Sequence, residues 1–412
     1  MTFALVLAGA IVVIGFLANY LFERTGVPDM LFLIVLGILI GPVTGFVSAD
    51  SIMNFAPYLV GLALVFILFD GGMEMNIYRV FSESPRALVL ASTGFILSAT
   101  ATSLFMAFLV IPGVSFLYAL LFGTILGGGS SIVVISLAQR IKLSEKSSTL
   151  LGLESAINDI LCIVLSLIII EIIVLGGAVD LSGIAKSVAA RFSIGAMLGI
   201  LVGIGWINVL KRISKAAYSY ILTLGIVLLA YALSEYLGGS GALCSLLFGI
   251  MLGNEKEIYR ILRMKKPTNY IVDTGLKRFE SEIAFLLRTF FFVYIGLIVT
   301  VTNILTVTLG AVLTLILILV RIGTVHLATI RSELIHERPM MSVLLTRGLA
   351  SAVLATLPLQ YADAVKYPDV GGIFQQLSPV YINVTVIVIL ATAIIATVGV
   401  PLIRWKTKKK RS

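Results

Sequence analysis

The chain alternates long apolar runs with short polar punctuation, and the runs have the length of helices rather than strands. They lie at about residues 2–22, 28–45, 56–75, 86–110, 115–139, 148–175, 187–210, 216–236, 240–254, 279–300, 303–330, 339–360 and 379–404. A helix that crosses a bilayer needs about 20 predominantly apolar residues. The pattern therefore predicts an all-α polytopic membrane protein with thirteen transmembrane helices. The first run has no positively charged leader and is long enough to span, so it reads as a retained helix rather than a cleaved signal. An odd number of spans puts the two termini on opposite faces.

Composition points the same way. Of 412 residues, 59% are hydrophobic and 12% charged, with a mean hydropathy of +1.09, whereas soluble domains carry about 25% charged residues. A soluble globular protein is excluded. Thirteen spans also leave no length for an appended soluble domain, so residues 1–412 are expected to form a single transmembrane domain, with a basic tail at 405–412. The net charge of +9 is explained by topology rather than by a nucleic-acid partner, because 24 of the 30 Lys and Arg residues fall in loops on one face, the tail Lys406–Arg411 among them. The positive-inside rule makes that face cytoplasmic and the N-terminus external. Two cysteines, Cys162 and Cys244, and two histidines, His326 and His336, are too few for a metal cage, a haem site or a disulfide framework. No cofactor is expected.

A repeat is visible in the glycines. Gly37-Ile38-Leu39-Ile40-Gly41-Pro42 in span 2 and Gly249-Ile250-Met251-Leu252-Gly253-Asn254 in span 9 share one pattern, 212 residues apart. Spans 2 and 9 run in opposite directions, which predicts two inverted six-helix repeats, spans 1–6 (about 1–175) and spans 8–13 (about 216–404), joined by a linker helix at about 187–210. Inverted repeats characterise secondary transporters. Such glycine pairs also serve close helix packing.

Charge inside the membrane is costly and marks candidate functional positions. Span 6 carries Glu154-Ser155-Ala156-Ile157-Asn158-Asp159. Entered from the cytoplasm, it puts Asp159 about 16 Å deep. By the same rise per residue, Arg347 in span 12 and Arg288 in span 10 lie about 12 and 14 Å in. A Glu154–Arg347 pair would cancel two buried charges. Asp159 is then the acid that can change protonation state, with Arg288 placed to face it, to face backbone carbonyls, or neither. Arg321 is expected near the cytoplasmic end of span 11, where a long side chain can snorkel.

Span 5 contains Gly127-Gly128-Gly129-Ser130-Ser131 at similar depth. Three glycines interrupt a helix, and the carbonyls and hydroxyls so exposed make a natural lining for an alkali cation, although tight packing would also explain them. Arg347-Gly348-Leu349-Ala350-Ser351 occupies the inverted position in span 12. Broken helices 5 and 12 are thus expected to cross at the midplane. Asp70 and Glu74 end span 3 near the cytoplasmic interface. A solvated helix end accounts for both, and a funnel admitting cations is the functional alternative.

Glu154-Ser155-x-x-Asn158-Asp159, Leu68-Phe69-Asp70-Gly71-Gly72-Met73-Glu74, Arg288-Thr289-Phe290-Phe291-Phe292-Val293-Tyr294-Ile295-Gly296-Leu297 and Arg347-Gly348 together resemble the monovalent cation:proton antiporter-1 family, in particular its NhaP-type prokaryotic sodium/proton antiporters. The resemblance implies a homodimer in the prokaryotic cell membrane, surrounded by lipid, with a core bundle moving in an elevator-like alternating-access cycle. It implies that Asp159 binds ion and proton, Asn158 is its neutral neighbour, Ser155 gives a hydroxyl to the cation, and Glu154 with Arg347 forms a structural ion pair. Where many relatives have Thr-Asp-Pro, this chain has Gly129-Ser130-Ser131, similar to potassium-efflux-type relatives. That departure leaves the cation open between the sodium implied by the NhaP-type resemblance, which is expected first, and lithium or potassium as alternatives; the nucleotide-binding regulatory domain of those potassium systems is not expected. With Asn158 in place of a second carboxylate, one cation is expected to exchange for one proton. A cation channel is the rival of a different class. An intramembrane enzyme is disfavoured, since neither histidine lies at the depth of the serines.

Overall fold

Backbone polar groups have no water to bond in a bilayer, so apolar runs of this length satisfy them within helices. The computed structural model describes residues 2–47, 56–74, 85–130, 133–134, 137–138, 141, 143–175, 181–213, 218–261, 274–299, 304–363 and 365–409. A helix occupies part of every one of the apolar runs. In chain order they are α1 (Thr2–Thr25), α2 (Asp29–Ile38, prolonged by a π turn Leu39–Val43), α3 (Ala56–Glu74), α4 (Pro85–Phe105), α5 (Phe116–Ile125), α6 (Glu145–Leu175), α7 (Leu181–Ile213), α8 (Ser219–Tyr236), α9 (Gly241–Gly253), α10 (Glu255–Ile261), α11 (Thr274–Ile298), α12 (Ile304–Ala328), α13 (Arg338–Val343), α14 (Leu349–Thr356) and α15 (Gly371–Lys409). Eight of the described helices are long and apolar enough to cross a membrane, and four more segments form shorter apolar helices.

The chain divides into two units. The first comprises Met1–Asn54, Ser84–Gly177 and Phe292–Ser412, and the second Phe55–Glu83 and Ala178–Phe291. In the second unit an apolar core of Phe66, Phe69, Trp206, Val227, Phe248 and Leu276 joins α3, α7, α8, α9 and α11. Its helix α9 is capped twice at its start: Ser240 Oγ accepts from Leu243 N at 3.3 Å, and Glu235 Oε1 accepts from Gly241 N at 2.7 Å. In the first unit Tyr118 and Phe122 of α5 pack on Phe374 and Tyr381 of α15.

Each unit contains a contact that only glycine permits, and the two contacts correspond residue by residue. In the first, a Cβ on Gly37 would meet the Val293 carbonyl and Gly296, one on Gly296 would meet the Ile34 carbonyl, and one on Gly41 would meet Leu297. In the second, Gly249 meets the Phe69 carbonyl, Gly72 the Leu246 carbonyl, and Gly253 Met73. The short-helix positions differ by 212 residues throughout (37/249, 34/246, 41/253), and their partners by 224 (69/293, 72/296, 73/297). Close approach of this kind gives dispersion contact between backbones. A methyl group at Gly249 must displace the backbone of α3, so Gly249→Ala is expected to cost about 1–3 kcal/mol and to lower the melting temperature of the detergent-solubilised protein. Gly225→Ala, in α8 where nothing lies within 4 Å of the added carbon, should melt at or slightly above the wild-type temperature. Equal losses in both variants would contradict the packing argument.

Candidate functional site

The glycines of span 5 end its helix where the sequence places them. Helix α5 stops at Ile125, and its terminal carbonyls, Thr124 O and Ile125 O, both accept from the Cys162 thiol of α6 at 3.1 Å, while Ser166 Oγ donates to Thr124 Oγ1 at 3.0 Å. Gly127 lies against the Phe95 ring and Gly128 against Cys162, leaving no room for side chains. The other break separates α13 from α14, and residues 344–348 between them are not helical. The two breaks meet backbone to backbone: Ser130 N donates to Thr346 O at 2.7 Å, and Gly348 lies against Ser130. The two interrupted helices thus meet at their breaks.

Arg347 is 2% exposed and serves this crossing. Its Nη1 donates to Gly127 O at 2.9 Å and to Gly128 O, its Nη2 to Ser98 Oγ at 3.4 Å, and its backbone N–H to Thr392 Oγ1 at 3.2 Å. A guanidinium thus sits where the negative end of α5 leaves carbonyls unbonded.

The partner of Glu154 differs from the one expected. Arg321 of α12, not Arg347, forms the ion pair, through Nη1 to Oε1 and through Nη2 to Oε2 at 3.0 Å, and its Nε donates to Met341 O at 3.2 Å. Glu154 is 3% and Arg321 6% exposed, so Arg321 does not snorkel to an interface. The physical reason is the break in span 12. Residues 344–348 are non-helical, so Arg347 lies farther along the span than a helical rise of 1.5 Å per residue allows. Arg321 stands seven residues before the end of α12, about 11 Å along its axis from that end, where it meets Glu154.

One turn along α6, Asn158 is buried, and its Nδ2 donates to Glu154 Oε1 at 3.5 Å. Ser155 is buried and turned toward Gly129. Asp159 is half-buried, with its carboxylate within electrostatic reach of Arg347 and the Cys162 thiol. The first unit therefore brings together Ser130, Glu154, Ser155, Asn158, Asp159 and Arg347. Ser131 lies outside the described residues. Sequence reasoning missed Ser98, Thr346 and Cys162, small groups that carry no charge to mark them.

Asp70, Glu74 and the part of α11 bearing Arg288 belong to the second unit. Asp70 Oδ1 accepts from Ser281 Oγ at 3.2 Å, Glu74 is exposed, and the Arg288 charge acts on both acids.

Two discontinuous helices crossing at their unwound segments, flanked by a helix with buried acids, define a membrane protein built as secondary transporters are. The chain belongs to the sodium/hydrogen exchanger family, whose transmembrane profile ("Sodium/hydrogen exchanger, transmembrane") matches residues 9–406. It is 31% identical over 264 residues to a K(+)/H(+) antiporter NhaP2 of Shewanella oneidensis, a match covering 62% of this chain and 45% of that protein. It is 27% identical over 266 residues to the K(+)/H(+) antiporter NhaP of Alkalimonas amylolytica, with the same coverage of 62% and 45%. The match thus spans under half the length of these relatives. The fold is that of the sodium proton antiporter MjNhaP1 from Methanocaldococcus jannaschii, solved at pH 8, with a TM-score of 0.75, 23% identity and 96% of each chain covered.

Proposed function

We propose that this protein exchanges a monovalent cation for a proton across the prokaryotic cell membrane by alternating access, with both ions competing for Asp159. The observation that carries the reading is the placement of half-buried Asp159 on α6 within electrostatic reach of Arg347, the residue that bonds the α5 carbonyls where the two helix breaks meet. A carboxylate inside a membrane is ionised only where water, a cation or a positive group compensates it. Protonated, Asp159 crosses as a neutral load. Ionised, it crosses with a cation held by its carboxylate and by oxygens of Ser155, Ser130 and Ser131. Asn158 adds no second charge, which makes the exchange electroneutral, one for one. Asp70 and Glu74 attract cations as a cytoplasmic funnel, and the Arg288 charge favours their ionised form.

The residue-by-residue glycine correspondence supports two inverted repeats within thirteen spans, and the bias of Lys and Arg supports an external N-terminus and a cytoplasmic C-terminus, with the breaks meeting at the midplane. A homodimer in lipid is the assembly proposed. No bound cofactor takes part. Sodium and potassium are both candidates: the relatives named above are potassium/proton antiporters, the structural neighbour is a sodium/proton antiporter, and the sequence after the α5 glycines has serines where many family members have an acid.

Purified protein in liposomes, assayed by dye quenching under a pH gradient, should dissipate the gradient on addition of Na⁺ or K⁺, with Li⁺ and Rb⁺ setting the size preference. The end point should not move with an imposed membrane potential. A voltage-dependent end point would overturn the stoichiometry, and non-saturating flux independent of protons would favour a channel.

A further inference from the structure

A cavity of about 20 Å³ lies in the first unit beside Ser155, Asn158, Thr346 and Arg347. Among the described residues, three polar atoms of its lining are buried without a hydrogen-bond partner: Asn158 Oδ1, Thr346 Oγ1 and Arg347 Nε. The residues are 5%, 0% and 2% exposed. Buried polar atoms are almost always satisfied by protein or by ordered water.

The three atoms differ in kind in a way that one molecule reconciles. The Arg347 Nε–H only donates, Asn158 Oδ1 only accepts, and the Thr346 hydroxyl does either. A water accepts from the first, donates to the second and completes its bonding with the third. A cavity of this size holds about one water. Arg321, Glu154 and Arg347 line the same space; Glu154 pairs with Arg321, so the guanidinium of Arg347 is the charge left in the lining, and it opposes a cation.

We propose that this cavity is a water site, and that Thr346 is a positioning residue which, through that water, fixes the Asn158 side chain beside Asp159. The direct tether of Asn158, its 3.5 Å bond to Glu154, is long for a hydrogen bond. The water supplies the second tether, and it joins α6 to the very residue whose carbonyl accepts from Ser130 N. The role of Thr346 in exchange rests on the function proposed above, whereas the water itself does not.

The test uses the full chain and two variants, Thr346→Val, which keeps the shape and removes the hydroxyl, and Thr346→Ser, which restores it. A crystal or cryo-electron-microscopy map that resolves ordered waters should show wild-type density within hydrogen-bond distance of Asn158 Oδ1, Thr346 Oγ1 and Arg347 Nε, absent in Thr346→Val. A dry cavity, or density that thallium replaces as it would a bound cation, overturns the water site. In liposomes Thr346→Val should raise the KM for the cation roughly 2–10-fold, the factor for one net hydrogen bond, with maximal rate within about twofold, and Thr346→Ser should restore the KM. Equal falls in rate without a KM change, or failure of serine to rescue, overturn the positioning role. If wild-type liposomes show no exchange, the functional reading fails and the density still decides the water.

Discussion

Liposomes carrying Asp159→Asn are expected to exchange no faster than protein-free liposomes for any of the four alkali cations, while the variant remains folded and monodisperse. Asparagine preserves the size of the side chain and its place on α6, half-buried within electrostatic reach of Arg347. It removes the property that competition requires, a group that can be neutral with a proton or charged with a cation. The loss should therefore be complete rather than partial, and it should not be relieved by raising the cation concentration. A KM effect alone would mean that Asp159 tunes a site located elsewhere. Wild-type exchange in the variant would remove Asp159 from the mechanism. Asn158→Ala is the informative companion. It leaves the titratable acid in place, so it should weaken cation affinity without abolishing proton coupling.

The sequence was most legible where polarity stands out against an apolar background. Glu154, Asp159 and Arg347 are visible because charge in such segments has few structural uses, and all three lie in one unit near the α5 break. Gly127–Gly129 marked the break for a second reason: a helix does not readily run through consecutive glycines. The shared Gly37 and Gly249 pattern was legible too, and packing explains its glycines, since each lets a helix backbone touch a neighbouring one. What the sequence could not yield was azimuth. Counting residues places a side chain at a height, but pairing also needs the direction around the helix and a true rise. Both failed for Arg347, whose segment unwinds before it, and for Arg321, whose burial on Glu154 depends on how α12 is rotated. Thr346 and Ser98 were invisible because hydroxyls are common in membrane helices, where they bond the preceding turn, as Thr314 and Thr392 do.

The Glu154–Arg321 pair carries the second large expectation, because it is buried and bidentate. Removing one partner leaves the other charge uncompensated in a low-dielectric interior, which typically costs about 3–5 kcal/mol. Glu154→Gln and Arg321→Gln should each depress the melting temperature of the detergent-solubilised protein strongly. The double variant should melt above what the two losses predict when added, since neither charge is then stranded. The same cycle run on Glu154 and Arg347 discriminates between the two assignments. Arg347 bonds the Gly127 and Gly128 carbonyls rather than Glu154, so Arg347→Gln should be destabilising through the loss of those bonds, and its coupling to Glu154→Gln should be smaller than that of Arg321. Stronger coupling to Arg347 would restore the pairing expected from depth alone. It would also release Arg321 and leave the α5 carbonyls to be neutralised by something else. Under the proposed competition at Asp159 the distinction bears on transport, because the arginine that bonds the break is the one whose charge a cation or a proton at Asp159 would have to accommodate.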